Sequence, residues 1–153
     1  MYRLILLIVI SMLFGCSGFS ASKFSSEEAA QNLSLAENSY KQGLWQEAES
    51  YYRSLLKDNP DLYQAWFRLG NIYARSGQLD AAVTMYERCL ELDPDQARAW
   101  YNLSVVRARQ SLRISTEAQQ RFMEESPQEA LRFSHFRSRL VGALTEGSEQ
   151  KSQ

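Results

Sequence analysis

Two periods run through the chain. From Leu4 to Phe14 the residues are apolar almost without interruption, broken only by Ser11. From about Ala29 onward, apolar residues return every three or four positions instead, as one face of a helix does. Leu69, Ile72 and Tyr73, then Leu79, Ala82, Val83 and Tyr86, are the clearest sets. Gly43 and Gly77 interrupt the pattern where turns should lie, because glycine takes the left-handed backbone that ends a helix. Asp58-Asn59-Pro60 and Asp93-Pro94-Asp95 mark further ends, since the residue before proline avoids the helical region. The small residues Ala36, Ala48, Gly70 and Ala82 are expected where helices cross closely. Between Trp100 and Glu125 no glycine or proline intervenes. Trp100, Leu103, Val106, Ile114, Ala118 and Phe122 then predict one long helix, with Ser111 as the place for a kink. Ser126-Pro127 reads as the start of a last helix, capped by Ser126 with Pro127 at its first position. Ala130, Leu131, Phe133, Phe136, Leu140 and Leu144 supply its apolar face, expected to cover the open end of the preceding helices. Residues 146–153 are polar and read as a disordered tail.

The pattern recurs at one interval. Trp66, Leu69, Gly70, Tyr73, Ala82, Tyr86 and Pro94 form a joint motif that resembles the tetratricopeptide repeat. Stepping back by its period of about 34 residues maps Pro94 to Pro60, Cys89 to Leu55, Tyr86 to Tyr52, Ala82 to Ala48, Gly77 to Gly43 and Gly70 to Ala36. Trp66 maps to Asn32, the one departure. Stepping forward maps Trp66 to Trp100, Leu69 to Leu103 and Gly70 to Ser104, after which Gly77 meets Ser111 and the copy fades. The resemblance implies an all-α, short solenoid: two full helical hairpins, a third long helix and a C-terminal capping helix. One hairpin leaves its apolar face bare, so neighbours must stack.

The N-terminal run needs a separate reading. About eleven apolar residues are too few for a bilayer span of roughly 20; they fit the core of a secretory signal, with Arg3 before it and small residues after it. Leu13-Phe14-Gly15-Cys16 resembles a bacterial lipobox. That resemblance implies a signal peptide over 1–15 and a lipidated Cys16. A tether over 16–26 would follow, then a domain over 27–145. Ordinary cleavage further on, after Ser20, and retention as a short membrane tether are the alternatives. Ser17 after the cysteine implies the periplasmic face of the outer membrane. With Cys16 acylated, Cys89 has no partner within the chain and reads as a small buried apolar residue.

Charge and chemistry narrow the function by exclusion. The net charge is −1 over 153 residues, so no basic field points to nucleic acid. The half after Pro94 is slightly basic. His135 is the only histidine, which excludes a catalytic triad and a multi-histidine metal site. Glu124, Glu125 and Glu129 read as a solvated face. No phosphate loop or paired-cysteine motif occurs. The expectation is therefore a non-enzymatic protein without cofactor, metal or small-molecule substrate.

In the family resembled, the first helix of each hairpin lines a concave groove. Carried over by repeat position, the groove comprises Glu37, Tyr40 and Lys41, then Phe67, Asn71 and Arg75, then Arg98, Tyr101, Val105 and Arg109. Aromatic and arginine side chains dominate interfaces, and arginine forks onto carboxylates. Phe67 stands where the family's clamp for a C-terminal carboxylate has lysine, although Asn71 and Asn102 fit that clamp. Similarity to pilotins and to Tad-type pilus assembly lipoproteins implies a protein partner such as a secretin or a pilus or secretion component. A self-associating envelope protein and an adaptor for cell-wall enzymes are the alternatives.

Overall fold

The computed structural model describes residues 18–149, with side chains over 27–145. The signal segment 1–15 and Cys16 lie outside the described residues. Six helices and no strand occur among the described residues: α1 Gly18–Gln42, α2 Trp45–Asp58, α3 Tyr63–Arg75, α4 Leu79–Leu92, α5 Ala97–Phe122 and α6 Pro127–Glu149. They fall into two compact units, one ending at Asp61 and the other beginning at Leu62.

The first unit is the hairpin α1–α2. Gly43 turns it with φ +76°, and its amide donates to the Tyr40 carbonyl at 3.2 Å. Ala36 and Ala48 are fully buried, as small residues at a close crossing should be, and Tyr52, Leu55 and Leu56 fill the rest of the seam. α1 begins at Gly18, so the backbone expected to be a tether over 16–26 is helical from its third residue. Small polar residues suggested a tether, but nothing between Phe19 and Ser26 breaks a helix. Ala21, Lys23, Glu27 and Glu28 are good or neutral helix formers.

The second unit repeats this geometry and extends it. Gly77 turns α3 into α4 with φ +77°. The residues that precede α2 and α4, Leu44 and Gln78, share one backbone conformation (φ −81°, ψ 71° and φ −79°, ψ 67°). Those that close the same helices, Asn59 and Asp93, share another (φ −136°, ψ 83° and φ −143°, ψ 91°). The repeat seen in the sequence is thus a repeat of backbone torsions. Leu69, Ile72, Tyr73, Ala82, Val83 and Tyr86 are buried between α3 and α4. Tyr63, Trp66, Phe67 and Leu103 pack around a cluster of Cys89, Leu90 and Ala99, which brings α5 onto the pair.

The third copy departs from the pattern. α5 runs on as helix through Ser111, where the period calls for a turn. Serine has a Cβ and no bias towards positive φ, so nothing stops the helix there. The chain reverses only at 123–126, about 20 Å further along the axis at 1.5 Å per residue. α6 therefore packs on the C-terminal half of α5, where Phe122 and Phe133 stack at 6.1 Å and Arg137 donates to Gln119 at 2.6 Å. It does not cover the expected open end: Trp100 and Ser104 stay exposed. Of its expected apolar face, Ala130 is buried and Phe133 and Leu140 half-buried, while Leu131 (58%), Phe136 (50%) and Leu144 (38%) are exposed. Its backbone is helical through Gly147 to Glu149, further than the expected tail boundary, because no proline follows Pro127 to stop it.

Candidate functional site

The second unit gathers most of the expected groove. Phe67 leaves α3 beside Arg98, Tyr101 and Asn102 of α5, and with Ala97 these line an open cleft of about 290 Å³. The Arg98 guanidinium carbon lies 5.8 Å from the Phe67 ring centre, a cation–π arrangement. Behind it, Phe67 tilts onto Tyr86 at 6.0 Å, which fixes the cleft floor to the core of the hairpin. Tyr101 is 54% exposed at the rim.

Asn71 couples the helices under this cleft. Its Oδ1 accepts from the Tyr86 hydroxyl at 2.7 Å and from Asn102 Nδ2 at 2.8 Å. Both lone-pair directions of that oxygen are thereby used, and the amide nitrogen is left as a donor. At the far end, Arg109 donates to the Ala74 carbonyl at 3.3 Å, close to Arg75 in the last turn of α3. Two guanidinium groups at a helix C-terminus complement its partial negative charge. Val105, between these ends in sequence, is half-buried. Phe67, Arg98 and Tyr101 are thus brought together directly, with Arg75 and Arg109 at one end.

The other three candidates belong to the first unit. Glu37 accepts from the Tyr52 hydroxyl at 2.8 Å. Tyr40 packs edge-on against Trp45 at 5.4 Å and Tyr52 at 6.4 Å, and Lys41 is exposed at the end of α1. The Tyr52–Glu37 and Tyr86–Asn71 bonds lie one repeat apart. Glu37 and Asn71, expected as groove residues, therefore also brace their own hairpins. Asn102 joins the site although it is not among the residues carried over by repeat position; its place one turn from Arg98 and its fit to the family's asparagine position were the available signals.

No chemistry of another kind accompanies the cleft. Cys89 is fully buried, and burial, with the Asp93 carboxylate second, pushes its thiol up to about 11; a thiol so placed is an inert core group. His135 and the carboxylates Glu124, Glu125 and Glu129 are exposed. Among the described residues no cluster of histidine, cysteine or carboxylate side chains is arranged to hold a metal ion, and no helix is long and apolar enough to cross a membrane.

Comparison with known proteins agrees with the geometry. One tetratricopeptide-repeat model matches residues 33–83 and a second TPR model matches 70–111. No curated protein matches the chain. Among solved structures, the TPR2B domain in the pHsp70 complex of yeast Sti1 is similar in fold, with a TM-score of 0.52 and 14% identity over 76% of this chain and 98% of that one. The chain carries tetratricopeptide repeats, the fold of protein-interaction scaffolds, and no catalytic family is indicated.

Proposed function

We propose that this protein is a membrane-anchored scaffold of the bacterial envelope that grips a short acidic and apolar segment of a partner protein. The cleft of Phe67, Arg98, Tyr101 and Asn102 carries this reading. Its floor is aromatic, its walls donate hydrogen bonds, and Arg75 and Arg109 lie along the same face of the repeat. An apolar side chain on Phe67 and a carboxylate on Arg98 match that surface. The similar yeast domain is named for its complex with pHsp70, which is in keeping with a protein ligand here. The lipobox-like Leu13 to Cys16 supports attachment through acyl chains at the outer membrane, on the periplasmic face. A scaffold so placed suits assembly of a secretion or pilus system, with a secretin or pilus component as partner.

The test is a crosslink from the groove. A photoreactive residue at Tyr101 should capture one partner segment in envelope extracts, and Arg98→Glu should weaken that capture about tenfold, the effect of losing roughly 1.4 kcal/mol. Capture that is indifferent to Arg98→Glu removes the groove from the function. Labelled palmitate should enter the wild-type chain and not Cys16→Ser; equal labelling of the two removes the anchor.

A further inference from the structure

In each complete hairpin the second helix covers a fixed seat on the first. Gly70 shows how closely: a Cβ placed there would stand 2.5 Å from the Tyr86 ring. Trp66, four residues earlier, packs against the cluster of Cys89, Leu90 and Ala99. One period on, the same positions of α5 are Trp100 and Ser104, and the residue that would lie over Ser104 is Gln120. Gln120 is still part of α5, so the chain's own helix never reaches the seat. Trp100 is accordingly 52% exposed, and Ser104 is exposed with its hydroxyl donating back to the Trp100 carbonyl at 2.9 Å. The Trp100 ring is held in place, since its Nε1 donates to the Pro94 carbonyl at 2.9 Å. With Leu90 and Leu103 it lines a cleft of about 390 Å³ whose other lining residues are Glu87 and Glu91.

The opposite surface is found on α6 of the same unit. Leu131 and Phe136 are exposed among Arg132, His135 and Arg139, all of them exposed. Arg132, Phe136 and Arg139 stand three or four residues apart and so share a helix face. One surface is aromatic, concave and acidic; the other is the outer edge of a helix, apolar and, apart from Glu129, basic, where Arg132 and Phe136 also border a cleft against Ile114 of α5. Both surfaces carry internal ion pairs, Glu87 with Arg107 at 2.6 Å, Glu91 with Arg88 at 2.9 Å and Arg132 with Glu129 at 3.1 Å, but these are solvent-exposed pairs of small worth and open to exchange.

We propose that the bare seat at Trp100 and Ser104 is filled by α6 of a second copy of this chain. Phe136 enters the Trp100 cleft, and Arg132 and Arg139, on the same helix face, turn to Glu87 and Glu91. Each copy offers one seat and one helix, so a reciprocal pair closes as a two-fold dimer. The seat shares no lining residue with the Phe67–Arg98 cleft, which leaves that groove open in the dimer.

Sedimentation equilibrium of the full chain in density-matched detergent tests this by charge exchange. Glu91→Arg and Arg139→Glu should each weaken self-association about tenfold, and the two together should restore it, while Phe136→Ala weakens it with no rescue. Added salt should weaken the wild type. Equal association for the wild type and all four variants overturns the proposal, as does failure of the combined variant to recover. A chain that stays monomeric while α6 draws it to anionic phosphatidylglycerol vesicles overturns it too, and assigns that face to lipid.

Discussion

Two glycines of the second unit look alike in sequence and do different work. Gly77 has a positive φ and nothing within 4 Å of a Cβ placed there. Gly77→Ala should therefore cost only the left-handed strain, about 1–2 kcal/mol. Gly70 lies in ordinary helix under Tyr86. Gly70→Ala must push the ring away, loosening its hydroxyl from Asn71, with an overpacking cost of about 1–3 kcal/mol. Tyr86→Phe alone should cost about 1 kcal/mol, because Asn71 keeps the Asn102 donor. Denaturant unfolding of the three single variants and of Gly70→Ala with Tyr86→Phe separates the causes. The last pair should be less than additive, since the shared bond is lost only once, whereas Gly77→Ala should add to either. Cys89 gives a pH test at the same scale. Its folded value is raised from 9.0 to about 11, so the unfolded chain releases that proton first. The stability due to this group is complete below pH 9 and is lost as pH rises through 11. Cys89→Ala should flatten that alkaline decline.

At the scale of elements, α5 and α6 form a hairpin that is not a repeat. The C-terminal half of α5 is held by α6, through Phe122 on Phe133 and Gln119 under Arg137. Ending the chain before Pro127 removes those contacts and exposes Ser115, which is 2% exposed in the intact protein. The truncated chain should therefore lose more helix by circular dichroism than the 23 residues of α6 account for, because the end of α5 frays with it. Loss limited to the removed residues would show that α5 stands alone. This is also where sequence and structure part company. Gly43, Gly77, Pro60 and Pro94 are residues whose own torsions dictate a turn, so the two complete repeats were legible from them. Past Ser111 no residue dictates a turn, and amphipathic spacing alone says that a face exists without saying what it meets. Leu131 and Phe136 therefore read as core but lie at the surface. That Phe67, Arg98 and Tyr101 would lie side by side was legible for the same reason as the repeats, because their positions follow from register. The bracing roles of Glu37 and Asn71 were not, because they depend on a tyrosine hydroxyl fifteen residues away reaching across a hairpin.

At the scale of the whole molecule, one α5 carries two surfaces of opposite chemistry. Arg98 and Tyr101 belong to a cationic, aromatic cleft; Trp100 and Leu103 belong to an acidic one. Adjacent residues on a helix point about 100° apart, so a side chain changed on one surface leaves the other's lining untouched. Coupling between residues without shared partners is small, within a few tenths of a kcal/mol. Partner capture and self-association should then separate cleanly. Tyr101→Ala with Arg109→Ala should reduce partner capture about tenfold or more and leave the sedimentation equilibrium unchanged. Glu91→Arg should weaken self-association and leave single-site affinity for the partner unchanged. Tethering adds one coupling that contacts do not: two grooves in one dimer raise the effective concentration for a partner that carries two copies of its segment. With such a bivalent ligand, Glu91→Arg should lower the apparent affinity even though no groove residue has changed, whereas a monovalent peptide should bind both proteins alike. Equal loss for monovalent and bivalent ligands would mean that Glu91 acts through the fold of α4 rather than through the dimer.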